Sequence, residues 1–266
     1  MLLKRITVSL IFIPILLYTI FFKYDFLFYL LIQGIIILGM LEFYNFSKIK
    51  KIKSQNYLGI LGGIFLALSF YIFSEINLII LVASITFFAI SLNGLLKKEV
   101  EGAILSVAVT ILGIIYISWN LSFLFWFKKL SQGKEYLLLL FMITWMSEVF
   151  AYGFGTFLGK HKLSLRISPN KTIEGFIAGI IGSVAFSLVT KSFFLKDVSF
   201  LNIIIIGIAL GIWGQLGDLV ESFFKRDANL KDSGSTIPGH GGILDIFDGV
   251  IFNAPFLYGY LYLTTI

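Results

Sequence analysis

The sequence predicts an all-α, polytopic membrane protein with about nine transmembrane helices. Three observations lead there. Of 266 residues, 58% are hydrophobic and 14% charged, at a mean hydropathy of +0.94, which is more apolar surface than a soluble domain of this length buries. The chain cuts into nine apolar stretches with short polar gaps, each near the roughly 20 residues a helix needs to cross about 30 Å of hydrocarbon. Lys and Arg are also divided unevenly among the gaps, as they are when loops set orientation.

The first stretch, residues 6–22, follows Lys4 and Arg5. It lacks a small-residue cleavage site, and another span begins just after Asp25, so it reads as a retained helix and not a secretory leader. The remaining spans fall at 27–46, 57–73, 77–96, 102–127, 136–158, 174–195, 199–222 and 243–263. With the N-terminus inside, cytoplasmic segments hold 15 of the 21 Lys and Arg residues, including Lys48, Lys50, Lys51, Lys53, Lys97 and Lys98. This orients the chain in the cell (inner) membrane with its C-terminus outside. The long polar segments 159–173 and 225–242 then share the cytoplasmic face. No internal repeat or soluble domain stands out, which weakens an inverted-repeat transporter reading. Residues 1–266 read as one membrane domain, with five N-terminal spans in 1–135 and the chemistry-bearing helices and loops in 136–266.

Cysteine is absent, which excludes a disulfide scaffold, a thiolate metal site and a cysteine nucleophile. The net charge of +6 is spread through short loops and reads as topology control, with no nucleic-acid partner implied.

Four polar features interrupt the apolar background. Glu148 sits inside the 136–158 span, where a carboxylate costs on the order of 2.5–3.5 kcal/mol unless it faces a polar cavity; a protonated Glu bonded between helices is the plainer reading. Ser168-Pro169-Asn170-Lys171-Thr172-Ile173-Glu174-Gly175 fits a helix cap at Thr172 or Asn170, and equally an anion site at a helix N-terminus beside Lys171. Asp218, Glu221, Ser222 and Lys225 recur at spacings of three and four, so they share one helix face. The fourth runs from Lys231 and Asp232 through Pro238, Gly239, His240, Gly241 and Gly242 to Asp245 and Asp248. Its glycines permit close backbone approach, and two carboxylates at i and i+3 with no Cys suit a hard cation such as Mg2+ bridging to phosphates.

These residues resemble the signature of the CDP-diacylglycerol synthases, or phosphatidate cytidylyltransferases. Ser222, Lys225, Arg226, Lys231, Asp232, Pro238, His240, Gly241, Gly242, Asp245 and Asp248 match it in spacing, and the 168–175 segment resembles a second family segment. Two positions depart: Ile246 stands where the family has Arg, removing a cation and its donors, and Glu148 stands where it usually has Asp.

The resemblance implies transfer of the cytidylyl group of CTP to phosphatidate, with release of pyrophosphate. It implies one or two Mg2+ ions held by Asp218, Asp245, Asp248 and Glu148. Lys171, Lys225, Arg226 and Lys231 would offset phosphate charge, with Asp232 and His240 among the catalytic residues. Ser168, Asn170, Thr172, Glu174, Ser222, Gly241 and Gly242, with Lys171, would contact substrate. A homodimer is plausible for the family. Three other readings stay open at this point: a CTP-dependent enzyme on another lipid, a member impaired by Ile246, and an ion or solute transporter using Glu148 and Asp218.

Overall fold

The structure, a computed structural model, describes residues 2–96, 100–239 and 241–265. Among these, nine helices follow one another: α1 (Leu2–Phe21), α2 (Asp25–Ile49), α3 (Asn56–Ile72), α4 (Ile76–Leu95), α5 (Ala103–Phe127), α6 (Gly133–Leu158), α7 (Ile173–Phe193), α8 (Phe200–Asp227) and α9 (Leu244–Thr265). The fold is all-α, as the hydropathy pattern predicts. Backbone groups in hydrocarbon must be satisfied within their own segment, and helices do this. Six of the helices, α2 and α4–α8, are long and apolar enough to cross a membrane. Among the rest, α3 is an apolar helix of 17 residues and α9 carries Asp245 in its first turn.

Two local features depart from plain helix. The 159–173 segment forms a hairpin of β1 (Lys162–Ser164) and β2 (Ser168–Thr172). Pro169 accounts for the extended backbone, because proline disfavours the helical region in the residue before it. In α5, residues Ile114–Trp119 form a π-helical turn. That turn carries Ser118, whose hydroxyl donates to the Gly63 carbonyl of α3 at 2.7 Å.

The described residues divide into two compact units. The first comprises Met1–Trp126 and Asp227–Ile246; the second comprises Phe127–Arg226 and Phe247–Ile266. In the first, Tyr44 is buried and its hydroxyl donates to the Thr110 carbonyl at 2.7 Å. An aromatic group of Phe70, Trp119, Phe123 and Trp126 closes the α3–α5 packing.

In the second unit, small residues let helices approach closely, the usual route to helix association in lipid. Ser183 of α7 donates to the Gly207 carbonyl of α8 at 2.8 Å. A Cβ on Gly217 would meet the Asp248 carbonyl oxygen at 2.6 Å, so only glycine lets α8 and α9 touch there. Asn253 of α9 donates to Thr144 of α6 at 2.8 Å. These contacts fix the depth at which the acids of α8 meet those of α9.

Candidate active site

The second unit gathers charge in an apolar surround. One carboxylate oxygen from each of Asp218, Glu221 and Asp248 lies within 4.8 Å of the others. Glu221 is 0% exposed and Asp248 4%. Lys171, from β2, pairs with Asp218, and Lys225, one turn beyond Glu221 on α8, pairs with Glu221. Glu148 of α6 interacts electrostatically with Asp218 and Lys171, and Asp248 with Asp218, Glu148, Glu221 and Lys171. One Glu148 oxygen, Oε1, is buried without a hydrogen-bond partner.

Four carboxylates and two ammonium groups leave a formal charge of −2 when all are ionised. Like charges this close in a low-dielectric site repel strongly unless a cation joins them. Hard oxygen donors without Cys suit Mg2+, so the residues fit a divalent ion of that class.

The hairpin segment supplies the rim of this unit. Thr172 caps α7, its Oγ1 accepting from the Gly175 amide at 3.1 Å, so the capping reading holds and Lys171 is set two residues before the helix starts. Glu174 accepts from the Lys160 amide at 3.1 Å and contacts His161 Nδ1 at 2.6 Å; it fastens the chain ahead of the hairpin. Arg226 donates through Nε to the Ile167 carbonyl at 3.0 Å, which ties α8 to the hairpin loop. Ser168 is half-buried and Asn170 exposed. Ser222 is buried and reaches Asp218 Oδ1 at 3.5 Å.

In the first unit the 227–243 segment is built around Glu42 of α2, which is 7% exposed. Its carboxylate accepts from Ser233 Oγ (2.9 Å), Thr236 Oγ1 (2.7 Å) and the amides of Ile243 (2.9 Å) and Leu244 (3.0 Å). Asp245 Oδ2 accepts from the Ser233 amide at 2.9 Å and the Gly242 amide at 2.7 Å, and at 2.8 Å it shares the single Ser233 hydroxyl proton with Glu42. The start of α9 is thereby satisfied by protein carboxylates. Gly241 has a φ of +102°, and a Cβ there would meet Asp245 Oδ2 at 2.6 Å, so glycine is required. Lys231 and Asp232 are exposed on this segment. His240 lies outside the described residues.

These geometries sort the sequence-derived candidates. Lys171, Asp218, Ser222, Lys225 and Asp248 come together with Glu148 in the second unit. Asp245, Gly241 and Gly242 belong to the loop network of the first, where Asp245 is engaged by three hydrogen bonds. Two residues went unassigned in the sequence reading. Glu221 registered only as part of the polar stripe, yet it completes the carboxylate group. Glu42 registered not at all, although a lone acid within the 27–46 span carries the same signal of intramembrane cost that marked Glu148.

The sequence model of the cytidylyltransferase family matches residues 3–264. The chain belongs to this family. Among the relatives of this cytidylyltransferase are proteins named phosphatidate cytidylyltransferase. That of Staphylococcus saprophyticus is 36% identical over 220 residues, covering 83% of this chain and 84% of the relative. That of Staphylococcus haemolyticus is 38% identical over 221 residues, covering 79% and 83%, and that of Staphylococcus aureus strain COL 35% over 221, covering 83% and 84%. The cytidylyltransferase is a nucleotidyltransferase of the membrane.

Proposed function

We propose that the protein makes CDP-diacylglycerol from CTP and phosphatidate, at the carboxylate and lysine cluster of the second unit. The observation that carries this reading is that cluster: acids and lysines brought together at the ends of apolar helices in a cytidylyltransferase. A phosphatidate phosphate oxygen attacks the α-phosphorus of CTP; the bond from that phosphorus to the β-phosphate oxygen breaks, and pyrophosphate leaves. Such transfers depend mainly on positioning and charge neutralisation, so no protein nucleophile is needed.

Lys171 and Lys225 supply positive charge beside the phosphates, and Ser222 a hydroxyl. Asp218, Glu221 and Asp248 would hold Mg2+, with Glu148 adjacent; the bound ion would neutralise the triphosphate as Lewis acid and template. Lys231, Asp232 and His240, which match the family signature in spacing, would act on the nucleotide. With about nine spans and the N-terminus inside, both polar segments would be cytoplasmic, so CTP would arrive from the cytosol and phosphatidate from the leaflet.

The test is CTP-dependent conversion of phosphatidate by purified protein in lipid micelles, with and without Mg2+, alongside Asp218→Asn and Ile246→Arg. Mg2+-dependent turnover lost in Asp218→Asn supports the reading and shows that Ile246 is compatible with catalysis. Turnover confined to Ile246→Arg makes this chain a disabled form. Silence in every variant overturns the reading.

A further inference from the structure

The first unit holds three adjoining cavities. One, of about 630 Å³, has a polar wall of Lys50, Lys51, Lys53, Gln55, Glu101 and Ser106. It shares Gly94 and Ala103 with an apolar cavity of about 480 Å³ between the end of α4 and the start of α5, which includes Leu95, Ile104 and Val107. That cavity in turn shares Phe87 and Ile111 with a third, of about 430 Å³, reaching Leu66 and Trp119. The series is charged at one end and hydrocarbon along the rest.

The charged end is a fixed structure. The Gln55 amide donates to Thr110 Oγ1 at 2.8 Å, Gln55 Nε2 to the Ile90 carbonyl at 3.1 Å, and Ser106 Oγ to the Lys53 carbonyl at 2.5 Å. Lys51 turns the chain with a φ of +58°. Among the described residues the lining holds three lysines and one acid, Glu101; Asp227 pairs with Lys50 at 3.0 Å from outside it. Among these residues positive charge exceeds negative at the mouth of an apolar groove. Setting orientation requires only basic residues in the loop; it does not call for an apolar channel leading away from them.

We propose that this groove binds an anionic glycerophospholipid, its phosphate at Lys51 and Lys53 and an acyl chain along α4 and α5. Gly94 is the neck between headgroup and chain. A Cβ there would meet nothing closer than Gln55 Nε2 at 3.7 Å and Val107 Cγ2 at 3.8 Å, so a larger side chain enters open space and not a packed core. The site is separate from the carboxylate cluster in residues and in purpose, and it does not depend on the catalytic reading.

The experiment incubates the full-length protein in mixed micelles with equal amounts of phosphatidylglycerol, phosphatidate and phosphatidylcholine, then counts bound lipids by mass spectrometry of the intact protein. Both anionic lipids should be retained over phosphatidylcholine. Each lysine near an anionic headgroup contributes about fivefold, so Lys51→Gln with Lys53→Gln should lower the preference by roughly thirtyfold. Gly94→Leu should lower retention of every lipid at this site, while Asp248→Asn should leave it unchanged. Equal retention of phosphatidylcholine and phosphatidylglycerol by the parent, or a preference unaltered by the lysine changes, overturns the proposal. So does retention of phosphatidate alone that disappears in Asp248→Asn, because the lipid would then sit at the carboxylate cluster.

Discussion

The two units each bury acids, and they treat them in opposite ways. Glu42 and Asp245 of the first unit accept hydrogen bonds from hydroxyls and backbone amides. Asp218, Glu221 and Asp248 of the second crowd one another, with two lysines as counter-charges. A buried carboxylate saturated by backbone donors fixes the path of a chain. Carboxylates set against one another raise the energy of the folded protein unless a cation joins them. The first arrangement is for position, the second for binding.

That contrast predicts which property each substitution damages. Asp248→Asn or Asp218→Asn should reduce turnover on the order of 10³-fold by removing a charge from the reacting phosphates' surroundings. Neither should lower Tm in metal-free buffer, since a repulsion is relieved; a large drop in Tm with activity retained would erase the distinction. Chelation of divalent ions should reproduce the same loss of turnover, and added Mg2+ should restore it.

Glu42→Ala should show the reverse emphasis. It strips Thr236 Oγ1 and the Ile243 and Leu244 amides of their acceptor and leaves the Ser233 hydroxyl to Asp245, and buried unsatisfied groups cost about 1–3 kcal/mol each. Thermal unfolding should therefore shift down by many degrees before any kinetic comparison is made. Glu42→Gln, which keeps one acceptor oxygen, should recover much of the lost stability. Equal Tm for the two variants would mean that the loop does not depend on this anchor.

Lys171→Ala should cost about 10²-fold in turnover with a smaller loss of stability, and Lys171→Arg should recover part of it by keeping the charge. Glu174→Gln should have the smallest effect, less than about threefold in turnover, because its partners lie in a solvent-accessible loop where such pairs contribute little.

Much of this architecture is legible in the sequence because hydropathy reports burial in lipid directly. The helices α4, α5 and α6 coincide with spans 77–96, 102–127 and 136–158 to within a few residues. The cap at Thr172 was also readable, because its donors lie three residues on. The β1–β2 hairpin was not, since a polar loop carries no period of its own. The polar stripe Asp218, Glu221, Ser222 and Lys225 could be placed on one face by spacing alone. That Glu221 joins Asp248 could not, because it depends on how closely Gly217 lets α9 approach.

Asp245 shows the same limit. Its spacing from Asp248 suggested a shared direction, yet its oxygen is taken up by Ser233 and Gly242, neither of which helical periodicity reaches. Glu42 was hidden for another reason: the residues that satisfy it lie about two hundred positions away.

That separation also has a consequence for how the chain is made. Ser233 and Leu244 follow Glu42 by 191 and 202 residues. At about 5–20 residues per second of synthesis, Glu42 enters the bilayer some 10–40 s before its four donors exist. For that interval α2 must find water or another helix for its acid. The first unit therefore reaches its final form only after most of the second has been threaded into the membrane.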